Sequence, residues 1–164
     1  MVDYARIAME EKAKENAAIL AATEKLKREA ASSLFFKSIE IGLGDEMMKA
    51  NPELLKHGLL SGPKMGGITM DPKRFETQIR VTYGRAAFCE VNFDQGNSTV
   101  LIEMTLDQGA DKPAPPQKLA FRVGYTNSGP VAGKVEGDQE PSGRFGAEEI
   151  AQIVIAGIIR GYFE

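Results

Sequence analysis

From Asp3 to Ala31 the chain runs without a glycine or a proline. Its residues there are mostly Ala, Glu, Lys, Leu and Met, the strong helix formers. Glu10–Lys14 and Glu24–Arg28 have the favourable i,i+4 order, against one like-charge pair, Glu11–Glu15. A helix over this stretch measures roughly 44 Å at 1.5 Å per residue. A compact domain of 164 residues has a radius of gyration of about 15 Å, hence a diameter near 40 Å. The helix therefore lies across the whole domain, projects from it, or contacts a second copy. Large apolar residues are sparse before Ile19, after which Ile19, Ala22, Leu26, Ala30 and Leu34 recur at steps of three and four. Ser32–Ser33 is an expected bend and Gly42-Leu43-Gly44-Asp45 a second break. Leu34, Phe35, Phe36, Ile39 and Ile41 are expected to be buried, within a helical segment spanning 1–50.

Residues 74–136 change period. In FETQIRVTY the residues Phe75, Ile79, Val81 and Tyr83 alternate with polar ones, and AFCEVNFD sets Ala87, Cys89, Val91 and Phe93 against Phe88, Glu90, Asn92 and Asp94. Val100, Ile102, Met104 and Leu106 form the next inner set, then Leu119, Phe121, Val123 and Tyr125. Period two predicts strands with one buried and one wet face. Gly84-Arg85, Gln95-Gly96-Asn97 and Asn127-Ser128-Gly129-Pro130 suit hairpin turns, and Gly109–Pro116 reads as a longer, stiff loop. Val131–Glu136 is a candidate fifth strand.

A closing helix is predicted over 147–163, with Glu148 and Glu149 where the helix dipole favours them. Its apolar residues cover more than one face, so one side packs on the sheet and another needs the first helix or a partner. Residues 51–73 form a glycine-rich connector of no clear structure, and EGDQEPSGRFG (136–146) reads as a polar link. The expected architecture is α+β over a single domain, 1–164. It has two layers, an antiparallel meander of four or five strands with the long N-terminal helical segment and the C-terminal helix on one face.

Composition excludes several classes. A net charge of −3, with basic residues scattered among acidic ones, argues against a general nucleic-acid binder. One cysteine and one histidine exclude an internal disulfide, a multi-cysteine metal site and His–His metal pairs within a chain. The N-terminus lacks the basic-then-apolar order of a secretory signal, and the run Ile150–Ile159 is too short to span a bilayer. The expectation is a cytoplasmic protein with no membrane contact and no cofactor.

Short motifs supply no chemistry. Gly62, Gly67 and Thr69 in SGPKMGGIT match the frame of a phosphate-binding P-loop, but Ile68 stands where the lysine belongs and Asp71-Pro72 interrupts the required helix. Lys64 with Gly66 and Gly67 remains an anion-contact candidate, since glycine frees the backbone there. Glu76, Arg80, Glu90, Glu103, Lys118 and Arg122 fall on the wet sheet face, where cross-strand ion pairing is the simplest role. Cys89 reads as a buried small hydrophobe, and His57 as a residue near a helix C-terminus. No serine occupies a nucleophile elbow, and Asp3, Asp45, Asp71, Asp94, Asp107, Asp111 and Asp138 lack calcium-loop spacing. No motif is specific enough to name a family.

The leading expectation is a non-enzymatic interaction or scaffold-type domain acting as a homo-oligomer, with a separate protein partner also open. Its candidate interface is Ile150, Val154, Ile155, Ile158, Ile159 and Tyr162. The second is a small-molecule binder with an apolar pocket between sheet and helices, lined by Phe35, Phe36, Met47, Met48, Met65 and Met70. The third is an enzyme whose site is assembled between subunits, since no catalytic set is visible in one chain.

Overall fold

A computed structural model describes residues 1–71, 77–106, 115–137 and 139–163. One helix, α1 (Tyr4–Lys56), takes up the first third of the chain. Asp3 caps it by accepting from the Arg6 amide at 3.1 Å. Neither expected break occurs. Ser32 is buried and shares a 3.2 Å hydrogen bond with Ser98. At Gly42 an added Cβ would lie 3.0 Å from the Ala151 Cβ. The glycine is thus a close-packing point, and tertiary contact overrides its low helix propensity. Pro52 also sits inside the helix. It forgoes the bond to the carbonyl of Met48, a residue whose side chain is exposed.

A 3-10 turn (Gly62–Lys64) leads to seven strands: β1 (Ile68–Asp71), β2 (Gln78–Tyr83), β3 (Ala87–Asp94), β4 (Thr99–Leu106), β5 (Gln117–Thr126), β6 (Gly129–Val135) and β7 (Ser142–Phe145). They form one antiparallel sheet in sequence order. Helix α2 (Ala147–Arg160) follows and stops at Gly161, whose φ of 86° gives the left-handed cap.

Among the described residues seven strands replace the expected four or five. The two additions, β1 and β7, are four-residue strands inside the supposed connector and polar link. β1 (ITMD) alternates over only four residues, too few to stand out, and β7 (SGRF) does not alternate. β7 is held by its pairing to β6, where the register shifts between Ala132 and Lys134. β1 pairs with β2 and is fixed at its first residue by Asn51 of α1. Residues 51–56 belong to α1. Phe75 and Glu76 lie outside the described residues, as do residues 107–114 and Asp138.

The alternation otherwise sets the faces as expected. Ile79, Val81, Tyr83, Ala87, Cys89, Val91, Phe93, Val100, Ile102, Met104, Phe121 and Val123 point inward and are buried. They join Phe35, Phe36, Ile39, Leu43 and Leu54 of α1 and Ile150, Ala151, Val154, Ile155 and Ile158 of α2 in one core. Phe36 stacks on Phe93 with ring centroids 5.3 Å apart. Tyr125 departs from the pattern and is exposed, because β5 runs past the start of β4.

Candidate functional site

The core-facing residues of α1 begin at Ser32, and every residue from 1 to 28 is exposed. About 38 Å of helix thus stands clear of the core, and the full 53-residue helix measures about 80 Å. Isolated helices shorter than about 12–15 residues are marginal in water, and the arm exceeds that length with mostly strong helix formers. Surface ion pairs such as Arg6–Glu10 (3.3 Å) and Lys14–Glu11 (3.2 Å) add only a few tenths of a kcal/mol each, about 0.3–0.5.

On the side of α1 turned from the core, apolar residues recur every seven positions. Leu34, Ile41, Met48 and Leu55 are 66%, 62%, 77% and 68% exposed. Leu20 lies two further sevens back, and Ile19 and Leu26 adjoin the line; all three are exposed. This corrects the expectation that Leu34 and Ile41 are buried. The helix has two apolar stripes, and the core takes only the one through Phe35, Phe36, Ile39 and Leu43. Seven-residue spacing supplies one of the two apolar positions per heptad that side-by-side helices use; the positions three and four residues on hold Lys37, Ser38, Gly44, Asp45, Asn51 and Pro52.

The residues expected to form an interface on α2 are placed differently. Ile150, Val154, Ile155 and Ile158 are buried within the chain, and Ile159 is half-buried. Tyr162 is exposed but lies beyond the end of the helix. The apolar girth of α2 is taken up by α1 on one side and the sheet on the other.

On the outer sheet face the register aligns Arg80, Glu90, Glu103 and Lys118 in a row across β2–β5. Glu90 directly opposes Glu103. Lys118 reaches Glu103 at 3.6 Å, Gln78 donates to Glu90 at 3.4 Å, and Arg80 stacks over Phe88 at 4.3 Å. Arg122 lies on β5 opposite Thr99, apart from the row. The two carboxylates sit on an open face with cations at either end, an arrangement suited to ion pairing. Among the described residues no group of three or more His, Cys, Asp or Glu side chains is arranged to hold a metal ion. No helix among them is long and apolar enough to cross a membrane.

Cys89 and His57 are not brought together. Cys89 lies in the core, and burial, reinforced by the neighbouring Glu90 carboxylate, pushes its thiol up to about 12. It is a thiol at neutral pH and not a nucleophile. His57 is exposed as the C-cap of α1, 3.8 Å from Glu53.

The glycine-rich loop is tied to the body. The Arg85 amide donates to the Pro63 carbonyl at 2.6 Å, and the Gly67 amide to that of Lys64 at 3.2 Å. The Lys64 ammonium lies 5.7 Å from the centre of the Tyr83 ring, Gly67 backs onto Asn51, and Gly66 faces open space. The six aromatic and methionine residues expected around a pocket do not converge. Phe35 and Phe36 fill the core, Met47 and Met70 are half-buried, and Met48 and Met65 are on the surface. A scan of protein-family profiles and searches of curated proteins and solved structures give no match to this chain.

Proposed function

We propose that this chain is a non-enzymatic interaction domain that acts as a homo-oligomer, with α1 as the element that pairs. The observation that carries this reading is the exposed, seven-residue-spaced stripe Leu34, Ile41, Met48 and Leu55. A second copy is the occupant that brings a helix of the same length with the same spacing. Two helices in contact from Leu20 to Leu55, about 53 Å, over a width near 10 Å cover about 530 Å² each, roughly the 1,000 Å² in total that a specific interface needs.

Light scattering on a sizing column tests the reading. The full chain is expected to elute at a multiple of its 17.8 kDa mass. Ile41→Lys combined with Met48→Lys is expected to return it to one chain with unchanged circular dichroism. A wild-type chain that stays at one mass at high concentration overturns the reading.

A further inference from the structure

Charge interrupts the outer stripe of α1 in an ordered way. The seven-residue line breaks at Lys27, which stands between Leu20 and Leu34. Nearer its centre, Lys37 and Asp45 sit four residues before and after Ile41. That spacing sets each of them about 6 Å along the axis from Ile41 and about 40° around it, on opposite flanks. Lys27, Lys37 and Asp45 are exposed, and among the described residues none of the three forms an ion pair. Lys49, the cation one turn beyond Asp45, lies 3.3 Å from Glu46 instead. Ser38 and Gly44 complete the surroundings of Ile41. The Ser38 hydroxyl donates to the Leu34 carbonyl at 2.9 Å, and an added Cβ at Gly44 would meet nothing within 4 Å.

These charges decide which way two such helices run. In a parallel pair in register each residue meets its own copy, so Lys27 lies against Lys27, Lys37 against Lys37 and Asp45 against Asp45. In an antiparallel pair centred on Ile41, Lys37 of each copy comes level with Asp45 of the other. Leu34 then comes level with Met48, Ser38 with Gly44 and Lys27 with Leu55. Opposite charges face each other on both flanks of the isoleucine, and the two small residues let the backbones approach. Lys27 can lay its methylene stem on Leu55 and keep its ammonium in water. Flanking charges of this kind fix the orientation of paired helices, since the wrong order sets like charges together.

We infer that two copies of this chain pair antiparallel through α1, about a two-fold axis at Ile41, with Lys37 and Asp45 forming two ion pairs across the contact. The inference rests on the reading of α1 as the element that pairs. Because α1 ends at Lys56, the antiparallel contact runs from residue 27 to residue 55 and leaves Leu20 outside it. That is about 42 Å of helix, or about 840 Å² in total over a width near 10 Å. An interface of this size belongs to the weak class, so pairing is expected to depend on concentration. Residues 1–26 of the two copies extend past opposite ends of the contact.

Two measurements on the full chain test this. By light scattering over a dilution series at low salt, Lys37→Glu and Asp45→Lys are each expected to raise the dimer dissociation constant about tenfold, and the doubly reversed chain to recover it. A parallel pair keeps its like-charge contacts in all of these variants, so it shows neither the loss nor the recovery. Cross-linking by mild oxidation reads the geometry directly, with the wild-type chain as the blank because Cys89 is buried. Ile41→Cys is expected to form a disulfide between copies. Leu55→Cys is expected to form none, since its two copies stand about 42 Å apart. A dimer that cross-links as readily at Leu55→Cys, or that the double reversal fails to restore, overturns the antiparallel order and leaves pairing through α1 standing. A dimer that cross-links at neither position, or a wild-type chain that stays single, overturns both.

Discussion

The side chain of Asn51 bonds both backbone groups of Ile68, accepting from its amide at 2.8 Å and donating to its carbonyl at 2.9 Å. One amide on the last turns of α1 thus does for the first residue of β1 what a neighbouring strand would do. Ile68 is buried, so losing this partner leaves two groups without bonds. Asn51→Leu is expected to lower stability by about 2 kcal/mol or more in urea unfolding. Asn51→Asp keeps the acceptor and sets a charge against the carbonyl, and is expected to speed hydrogen exchange along β1.

Two isoleucine-to-lysine changes separate the two stripes. Ile155 is buried between α1 and the sheet, and Ile155→Lys is expected to cost more than about 4 kcal/mol, from an unpaired buried charge. Ile41→Lys falls on the exposed stripe and is expected to shift folding stability by no more than about 0.5 kcal/mol while lowering the molecular mass. Paired unfolding and light-scattering measurements check both.

Cys89 adds a dependence on alkaline pH. Its thiol is raised from an ordinary value of 9.0 to about 12. Below the unfolded value both states hold the proton and the thiol adds no slope. Between the two values only the unfolded state releases it, so stability falls by about 1.4 kcal/mol per pH unit. Burial also raises the Tyr83 phenol. The slope specific to the thiol is therefore the part that disappears in Cys89→Ala, measured by unfolding between pH 9 and 11. Native protein is expected to resist thiol reagents at pH 8 and to react once denatured.

Removing residues 1–27 takes away no buried residue. The shortened chain is expected to melt within about 2 °C of the full chain under conditions that keep both as single chains, since surface changes seldom exceed ±0.5 kcal/mol. At high concentration the difference in mass between the two reports what the arm adds to pairing.

Local patterns in the sequence revealed part of this structure. The faces of β2 to β5 were legible because each strand alternates over six or more residues, long enough for period two to stand out. β1 and β7 were not, because ITMD and SGRF depend on a side-chain clamp and a neighbouring backbone. The unbroken path of α1 depends on Ala151 meeting Gly42, a contact no local window contains. The apolar surplus on α2 looked like an interface because its second covering surface, α1, comes from the other end of the chain. Leu34 and Ile41 looked buried by residue type, whereas their spacing from Met48 and Leu55 was the signal for the outer stripe.

The meander also bears on the order in which a growing chain acquires its structure. Every strand pairs with the one just made, so the sheet assembles from contacts near in sequence, which form fast. The contact between α1 and α2 is the opposite case, since it joins the first element to the last. Until α2 emerges, the apolar flank of α1 around Gly42 and the inner side of the sheet remain uncovered, a state prone to association with other chains. The arrival of α2 therefore closes the core, and a chain stopped before Ala147 would carry a finished sheet with an open core.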